Sequence, residues 1–355
     1  MKRYLVLADG TSFAGEGFGA STITTGELAL FTGNYGYQEA LTDPANDGKI
    51  LLFSTPLIGA SGINAIDYEA INPRIKGIIA GGVAATGRSA AEDLNDFLQE
   101  KGIPGIYGVD THALVRKLVA EPVIKASIMD TDDQHAFDQI KALVLPKNKT
   151  AQTSTTNAYA VPNVGKTVAV IDLGLKNSLL RSLSLRKINV VVMPVTASAE
   201  DIANLQPNGL IVSNGPGSVQ EVRSNLAPIF KRFLTKLPFM GIGLGFLALS
   251  DYLKFELADL QPAYNGSNYP VIAQNTGLIW QTAMNLSQLA LPQTVEFDFS
   301  EKYYDLHSDL LAGYRFDEEK IIATAFNPEG SPGAFEASVI FDDFFKMMNK
   351  NAVKN

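Results

Sequence analysis

Three short stretches of this sequence carry residue types that could do chemistry, each at the end of an apolar run. The first is "PFMGIGLGFLALS" (238–250), in which Gly241, Gly243 and Gly245 alternate before an apolar, helix-like segment. A strand-to-helix turn of this shape usually holds a reactive side chain up into a cleft. Its tightest position is Gly243, which has no side chain. The second stretch is "SNGPGS" (213–218), where Gly215 and Gly217 flank Pro216. Glycines there let the backbone approach a ligand and turn its N–H groups toward an anion or oxyanion; a plain strand-to-helix connection would read the same way. The third is "AFNPEGSPGAFEAS" (325–338), an apolar strand ending in the turn Asn327-Pro328-Glu329. Glu329 could orient another group or serve as a solvated loop acid. "GIGLGF" does not meet the dinucleotide fingerprint, because Phe246 stands where the third glycine belongs and the unit is the fourth of its kind, not the first.

The supply of other reactive groups is short. The chain has no cysteine, which excludes disulfides, thiolate metal sites and thiol nucleophiles. Its three histidines, His112, His135 and His307, show no metal-ligand spacing and read as ordinary surface or half-buried residues. No metal site is expected. Ser250 lies two helical turns past Gly243, roughly 10 Å along the axis, and points elsewhere. Ser213 and Ser218 flank the glycine loop, but no histidine is placed by sequence to activate either.

The elements that position these stretches follow from hydrophobic period. From residue 166, "TVAVIDLG", "INVVVMPV", "NGLIVSNGPG" and "LPFMGIG" are apolar strands, alternating with the helical patterns "LKNSLLRSLSLRK", "SAEDIANL" and "NLAPIFKRFLTK". Such alternation predicts a parallel sheet covered by helices on both faces. Ligands of these sheets bind beyond the carboxyl ends of the strands, which sets Ser213–Ser218 and Gly241–Gly245 along one rim. The first ~70 residues alternate short β-rich runs with glycine turns, and "AAEDLNDFLQEKG" and "THALVRKLVAE" show helical period around the strand "GIPGIYGVD". The polar, aperiodic "KNKTAQTSTTNAYAVPNVGK" reads as a linker. The expected organisation is α/β: a mixed β-rich domain over 1–146, a linker over 147–165, and a parallel-sheet domain over 166–355.

With 355 residues the chain is long enough for two domains with sizeable cores. Its net charge of −8 argues against nucleic acid as a partner. No apolar run approaches the ~20 residues that span a bilayer, and "MKRYLVLADG" lacks the apolar stretch and cleavage site of a signal peptide, so a cytoplasmic protein without a membrane partner is expected.

Taken in order, these stretches resemble the small, glutamine-hydrolysing subunit of carbamoyl phosphate synthetase along nearly the whole chain. "VLADGTSFAGEGFG", "TGELALFTGNYGYQEALTDP", "STPLIGASGIN" and "GIYGVDTHALVRKL" resemble the N-terminal domain of that subunit, with His112 where the family usually shows arginine. "IDLGLKNSLLRSL", "SNGPG", "GIGLG", "IAQNTG" and "NPEGSPG" resemble a class I glutamine amidotransferase domain. The resemblance implies a mechanism in which a cysteine thiolate attacks glutamine's amide, a histidine backed by a glutamate activates it, and backbone N–H groups hold the oxyanion. Here the nucleophile position is Gly243 and the histidine position is Asn327, while Glu329 remains. Gly215, Gly217, Leu244, Asn275 and Gly277 match the family's substrate-binding positions; Ala45, Leu247 and Leu278 replace a serine, a glutamine and a phenylalanine, and Phe246 replaces a histidine. The resemblance further implies a large-subunit partner that holds ATP and magnesium, with no cofactor in this chain. The expectation is a non-catalytic partner of an ammonia-using large subunit, as in the urea-cycle synthetase, whose equivalent domain has also lost its nucleophile. The alternatives are a working glutaminase subunit supplying ammonia, and a metabolite-binding regulatory module. Arginine and pyrimidine synthesis are both open as the pathway served.

Overall fold

The computed structural model describes residues 1–87, 92–121, 124–131, 134–291 and 297–351. The first two residues of "AAEDLNDFLQEKG" and the side chain of His135 therefore lie outside the described part. Contacts divide the chain into two units, one of Met1–Pro146 with Gln261–Gly266, the other of Lys147–Leu260 with Ser267–Asn355.

In the first unit the β-rich segments close into a barrel. Its hydrogen-bonding order is Lys2–Leu7, Ser12–Gly19, Pro104–Tyr107, Gly77–Ala80, Lys49–Phe53, Thr24–Phe31 and Ile124–Met129, which pairs back with the first. Alternation sorts the side chains onto two faces. Leu5, Leu7, Leu28, Ile50, Leu52, Ile79, Ile106, Ala126 and Ile128 join one cluster with partly buried Phe13. Because all seven strands contribute, that cluster is the barrel interior. The intervening residues Phe31, Leu51, Phe53, Ile78 and Ala80 face outward and are covered by Leu94, Phe97 and Leu98 of the helix Leu94–Glu100. Each such side chain contributes about 1.5–3 kcal/mol when fully buried. The six-residue piece 261–266 is tied to the barrel unit by Asn265, whose carbonyl accepts the Thr32 N–H at 2.8 Å and whose Nδ2 donates to Asn46 Oδ1 at 3.1 Å.

The second unit carries a ten-stranded sheet among the described residues. Five adjacent strands are parallel, in the order Asn189–Pro194, Thr167–Asp172, Gly209–Val212, Phe239–Ile242, Ile321–Thr324. The parallel block expected from the alternating strands and helices is present, and the sheet extends beyond it on both sides with antiparallel strands. Tyr159–Val161 pairs antiparallel on one side, and Leu311–Phe316, Ile279–Ala290, Leu257–Ala273 and Glu301–Asp305 follow on the other, with antiparallel pairing among them. Segment 147–165 differs from a linker. It holds the helix Lys149–Thr153 and the edge strand Tyr159–Val161. Side-chain bonds fix both: Ser154 Oγ accepts the Val195 N–H at 2.9 Å, and the Thr155 N–H donates to Asp172 at 2.7 Å.

Candidate functional site at the strand-to-helix elbow

Strand Phe239–Ile242 lies inside the parallel block, between Gly209–Val212 and Ile321–Thr324. It passes through Gly243, at φ 55° and ψ −112°, straight into the helix Leu244–Tyr252. Residues with a side chain resist that backbone region. The Gly243 N–H donates to Thr324 O at 2.8 Å, so the turn is pinned to the neighbouring strand. Leu244 through Ser250 are all buried, and a helix apolar on every side belongs in a core. Phe246, fully buried, meets the Tyr314 ring at 5.8 Å between centroids, and Leu247 is buried beside it in the helix. Both pack rather than offer a polar contact.

The glycine loop follows the adjacent strand Gly209–Val212. A Cβ on Gly215 would sit 1.8 Å from the Leu173 carbonyl oxygen, so only glycine fits there. Between loop and elbow stands Asn214, 5% exposed. Its Oδ1 accepts two backbone N–H groups, from Gly215 at 2.8 Å and from Leu244 at 3.0 Å. Its Nδ2 donates to Asn327 Oδ1 at 3.3 Å. Two convergent donors require an acceptor, which sets the orientation of this amide. The same side chain takes the space of any residue mounted on the elbow: a Cβ at Gly243 would lie 2.2 Å from both Cγ and Oδ1 of Asn214.

The loop after strand Ile321–Thr324 brings in Asn327 and Glu329. The Asn327 N–H donates to Ala283 O at 2.9 Å. Glu329 Oε1 pairs with Lys176 Nζ at 3.0 Å, and both side chains are 2% exposed. Lys176 also donates to the carbonyls of Ser331 at 2.6 Å and Gly330 at 3.3 Å. A buried charge is tolerated only when paired and hydrogen-bonded in this way. Glu329 thus has an ammonium for a neighbour in place of an imidazole.

Other nucleophiles are spoken for. Ser250 is fully buried and shares a hydrogen bond of 3.2 Å with the Tyr314 hydroxyl, whose proton affinity burial pushes well above the usual tyrosine range. Ser213 accepts the Leu173 N–H and donates to Asn214 O. Ser218 is half-buried at the start of helix Val219–Phe233. His307 is exposed, with its ring 6.1 Å from Tyr269, and His112 is exposed on the helix Thr111–Ala120 of the barrel unit.

The structure therefore gathers Asn214, Gly215, Gly243, Leu244 and Asn327 at one point, with Glu329 on the loop of Asn327 and Lys176 reaching it from the loop after strand Thr167–Asp172. Gly217, at φ 99°, belongs to the glycine loop and is exposed. Asn275, Gly277 and Leu278 lie at the exposed turn between the strands Leu257–Ala273 and Ile279–Ala290, where Asn275 Nδ2 donates to Ser300 O at 2.8 Å. Ala45 belongs to the barrel unit, buried in the turn Pro44–Asn46. Three residues escape a reading by type and spacing: Asn214, Lys176 and Thr150, whose Oγ1 donates to Pro216 O at 2.6 Å. Lys176 had a signal, a lone cation just past a buried strand.

Residues 169–347, which carry the five-stranded parallel block, the buried elbow helix and the glycine loop, match the class I glutamine amidotransferase family. Residues 5–128 match the carbamoyl-phosphate synthase small chain domain. The chain is 37% identical over 356 residues to the carbamoyl phosphate synthase small chain of Streptococcus pyogenes, covering 98% of each. It is 36% identical over 352 residues to that of Lactococcus lactis, again 98% of each. The pyrimidine-specific small chain of Lactiplantibacillus plantarum is 37% identical over 357 residues, 99% of this chain and 97% of that one. The chain belongs to the carbamoyl phosphate synthase small chain family.

Proposed function

We propose that this chain is a non-hydrolysing small subunit of carbamoyl phosphate synthetase. It docks on the large subunit, which holds ATP and magnesium, and the complex makes carbamoyl phosphate from bicarbonate, ATP and free ammonia in the cytoplasm. The observation that carries this reading is the pair Gly243 and Asn327 at the elbow. Hydrolysis of glutamine's side-chain amide needs an atom to attack the carbonyl carbon and a group to hand a proton to the departing ammonia. Gly243 supplies no atom, and the carboxamide of Asn327 does not exchange a proton near neutral pH. No thiol exists elsewhere in the chain to take over. Deleting either member of a nucleophile–base pair costs about 10⁶ in rate; here neither type of residue stands at the matching positions. The match of residues 5–128 to the small-chain domain supports the docking half of the reading. The kinship with a pyrimidine-specific chain supports pyrimidine synthesis as the pathway.

The test is to purify the chain alone and with the large subunit from the same source. We expect the two to co-elute, no glutamate release above a protein-free control, and ammonia-supported synthesis of carbamoyl phosphate. Glutamate release at the rate of a cysteine-bearing relative would overturn the loss of hydrolysis and restore the ordinary glutaminase subunit. Failure to co-elute at micromolar concentration would remove the docking half.

A further inference from the structure

We propose that the elbow cradle is self-liganded: the Asn214 carboxamide occupies the place of an external carboxamide, closing the site to glutamine, other primary amides and small carboxylates. This rests on the reading that the chain does not hydrolyse glutamine, and goes further, from no reaction to no binding. The geometry is that of amide recognition satisfied from within. Two backbone N–H groups, from Gly215 and Leu244, converge on a single carbonyl-type oxygen at 2.8 and 3.0 Å. Donors aimed in this way at one oxygen are what a carbonyl or oxyanion needs. The nitrogen end of the same group donates to Asn327 at 3.3 Å. Both ends of a primary amide are thus recognised, and the amide belongs to the protein.

Gly243 is a condition of this arrangement and not a mere deletion. Any Cβ there would stand 2.2 Å from Asn214 Cγ and drive the side chain off its two donors. Glycine at 243 and the seated Asn214 are one feature. A side chain already oriented on its donors competes at an effective concentration well above that of any free ligand at millimolar level, so a free amide gains no foothold. Leu247 and Phe246, both buried, offer a newcomer no polar compensation.

The test reads the two donors directly, in the full chain, by amide hydrogen exchange and nitrogen–proton correlation spectra. In the unmodified protein the Gly215 and Leu244 amides are expected to be protected, and unmoved by millimolar glutamine, acetamide or acetate. In Asn214→Ala, protection at both falls by about tenfold or more, the effect of about 1.4 kcal/mol for a lost hydrogen bond, and both signals shift saturably with acetamide. Asn214→Asp keeps an acceptor oxygen and retains the protection, which settles the matter if the alanine variant does not fold. Saturable shifts of both amides with glutamine in the unmodified protein would overturn the proposal, as would unchanged exchange in a folded alanine variant. Amides that titrate without glutamate release sink this inference alone. Failure to join the large subunit with silent amides sinks only the functional reading.

Discussion

Two buried polar clusters share the rim of the second unit, and they are built on opposite plans. One is neutral: the Asn214 carboxamide accepts two backbone N–H groups beside Gly243 and donates to the Asn327 carboxamide. The other is the ion pair between Glu329, two residues beyond Asn327, and Lys176 from the loop after strand Thr167–Asp172. The first is made of carboxamides, which do not exchange protons near neutral pH, whereas the second joins an amine to a carboxyl group. Neutral amides satisfy one another's polar groups without leaving a charge behind when one of them is changed. An ion pair resists piecemeal change, since removing either member strands the other in a dry interior.

That contrast can be broken by substitution. The largest effect is expected from Lys176→Met, which leaves the Glu329 carboxylate buried without its cation and should cost about 3–5 kcal/mol of unfolding free energy. The double variant Lys176→Met/Glu329→Leu should recover much of this. Denaturant unfolding measures both, and a double variant no better than the single one would show that the loop depends on the charges themselves. A smaller loss is expected for Gly243→Ala, from about 1–3 kcal/mol of backbone strain at its positive φ together with collision against Asn214. The same change in an Asn214→Gly background should cost less. Equal costs in the two backgrounds would leave the backbone as the whole cause and uncouple the two residues.

The smallest effect is expected at alkaline pH, from two buried tyrosines on the strands Glu301–Asp305 and Leu311–Phe316. Burial pushes the Tyr314 and Tyr303 hydroxyls above the ordinary tyrosine value, with Arg315 pulling weakly the other way at Tyr303. Tyrosines of the unfolded chain release their protons near pH 10. Above that pH the folded protein binds more protons than the unfolded one, so stability falls as pH rises; below it the contribution is fully present and flat. Unfolding curves at neutral pH and above pH 10 should show this decline. Tyr314→Phe should reduce it, at the cost of leaving Ser250 without its partner, and an unaltered slope in that variant would exclude Tyr314 as the source.

What could be read from the residues follows the same division. The β-rich character of the first unit declares itself because alternation is a local, periodic property, with "KILLF" sending Ile50 and Leu52 one way and Leu51 and Phe53 the other, but closure into a barrel depends on pairings between distant strands. Gly243 and Asn327 are legible because their types alone decide what they cannot do. Asn214 is not, because its role lies in a rotamer that reaches Leu244, thirty residues on. Lys176 finds its partner far along the chain, beyond the range of any spacing rule. Segment 147–165 misleads for a related reason. Its threonines and serine, polar and aperiodic, are what anchor it to the sheet, through Thr150 on Pro216, Ser154 on Val195 and Thr155 on Asp172. The antiparallel strands beyond the parallel block lack interleaved helices and so leave no βαβ signature.

One feature of the chain path has a practical meaning. Residues 261–266 come from the middle of the seventeen-residue strand Leu257–Ala273, yet they cluster with the barrel unit. Cleaving the polypeptide after Pro146 would therefore separate the barrel from a strip of its own backbone, including the Asn265 carbonyl that takes the Thr32 N–H. The fragment 1–146 lacks part of its own unit, whereas 147–355 keeps all of the second. Split-gene expression of the two halves should yield material that is rescued only when both are made together.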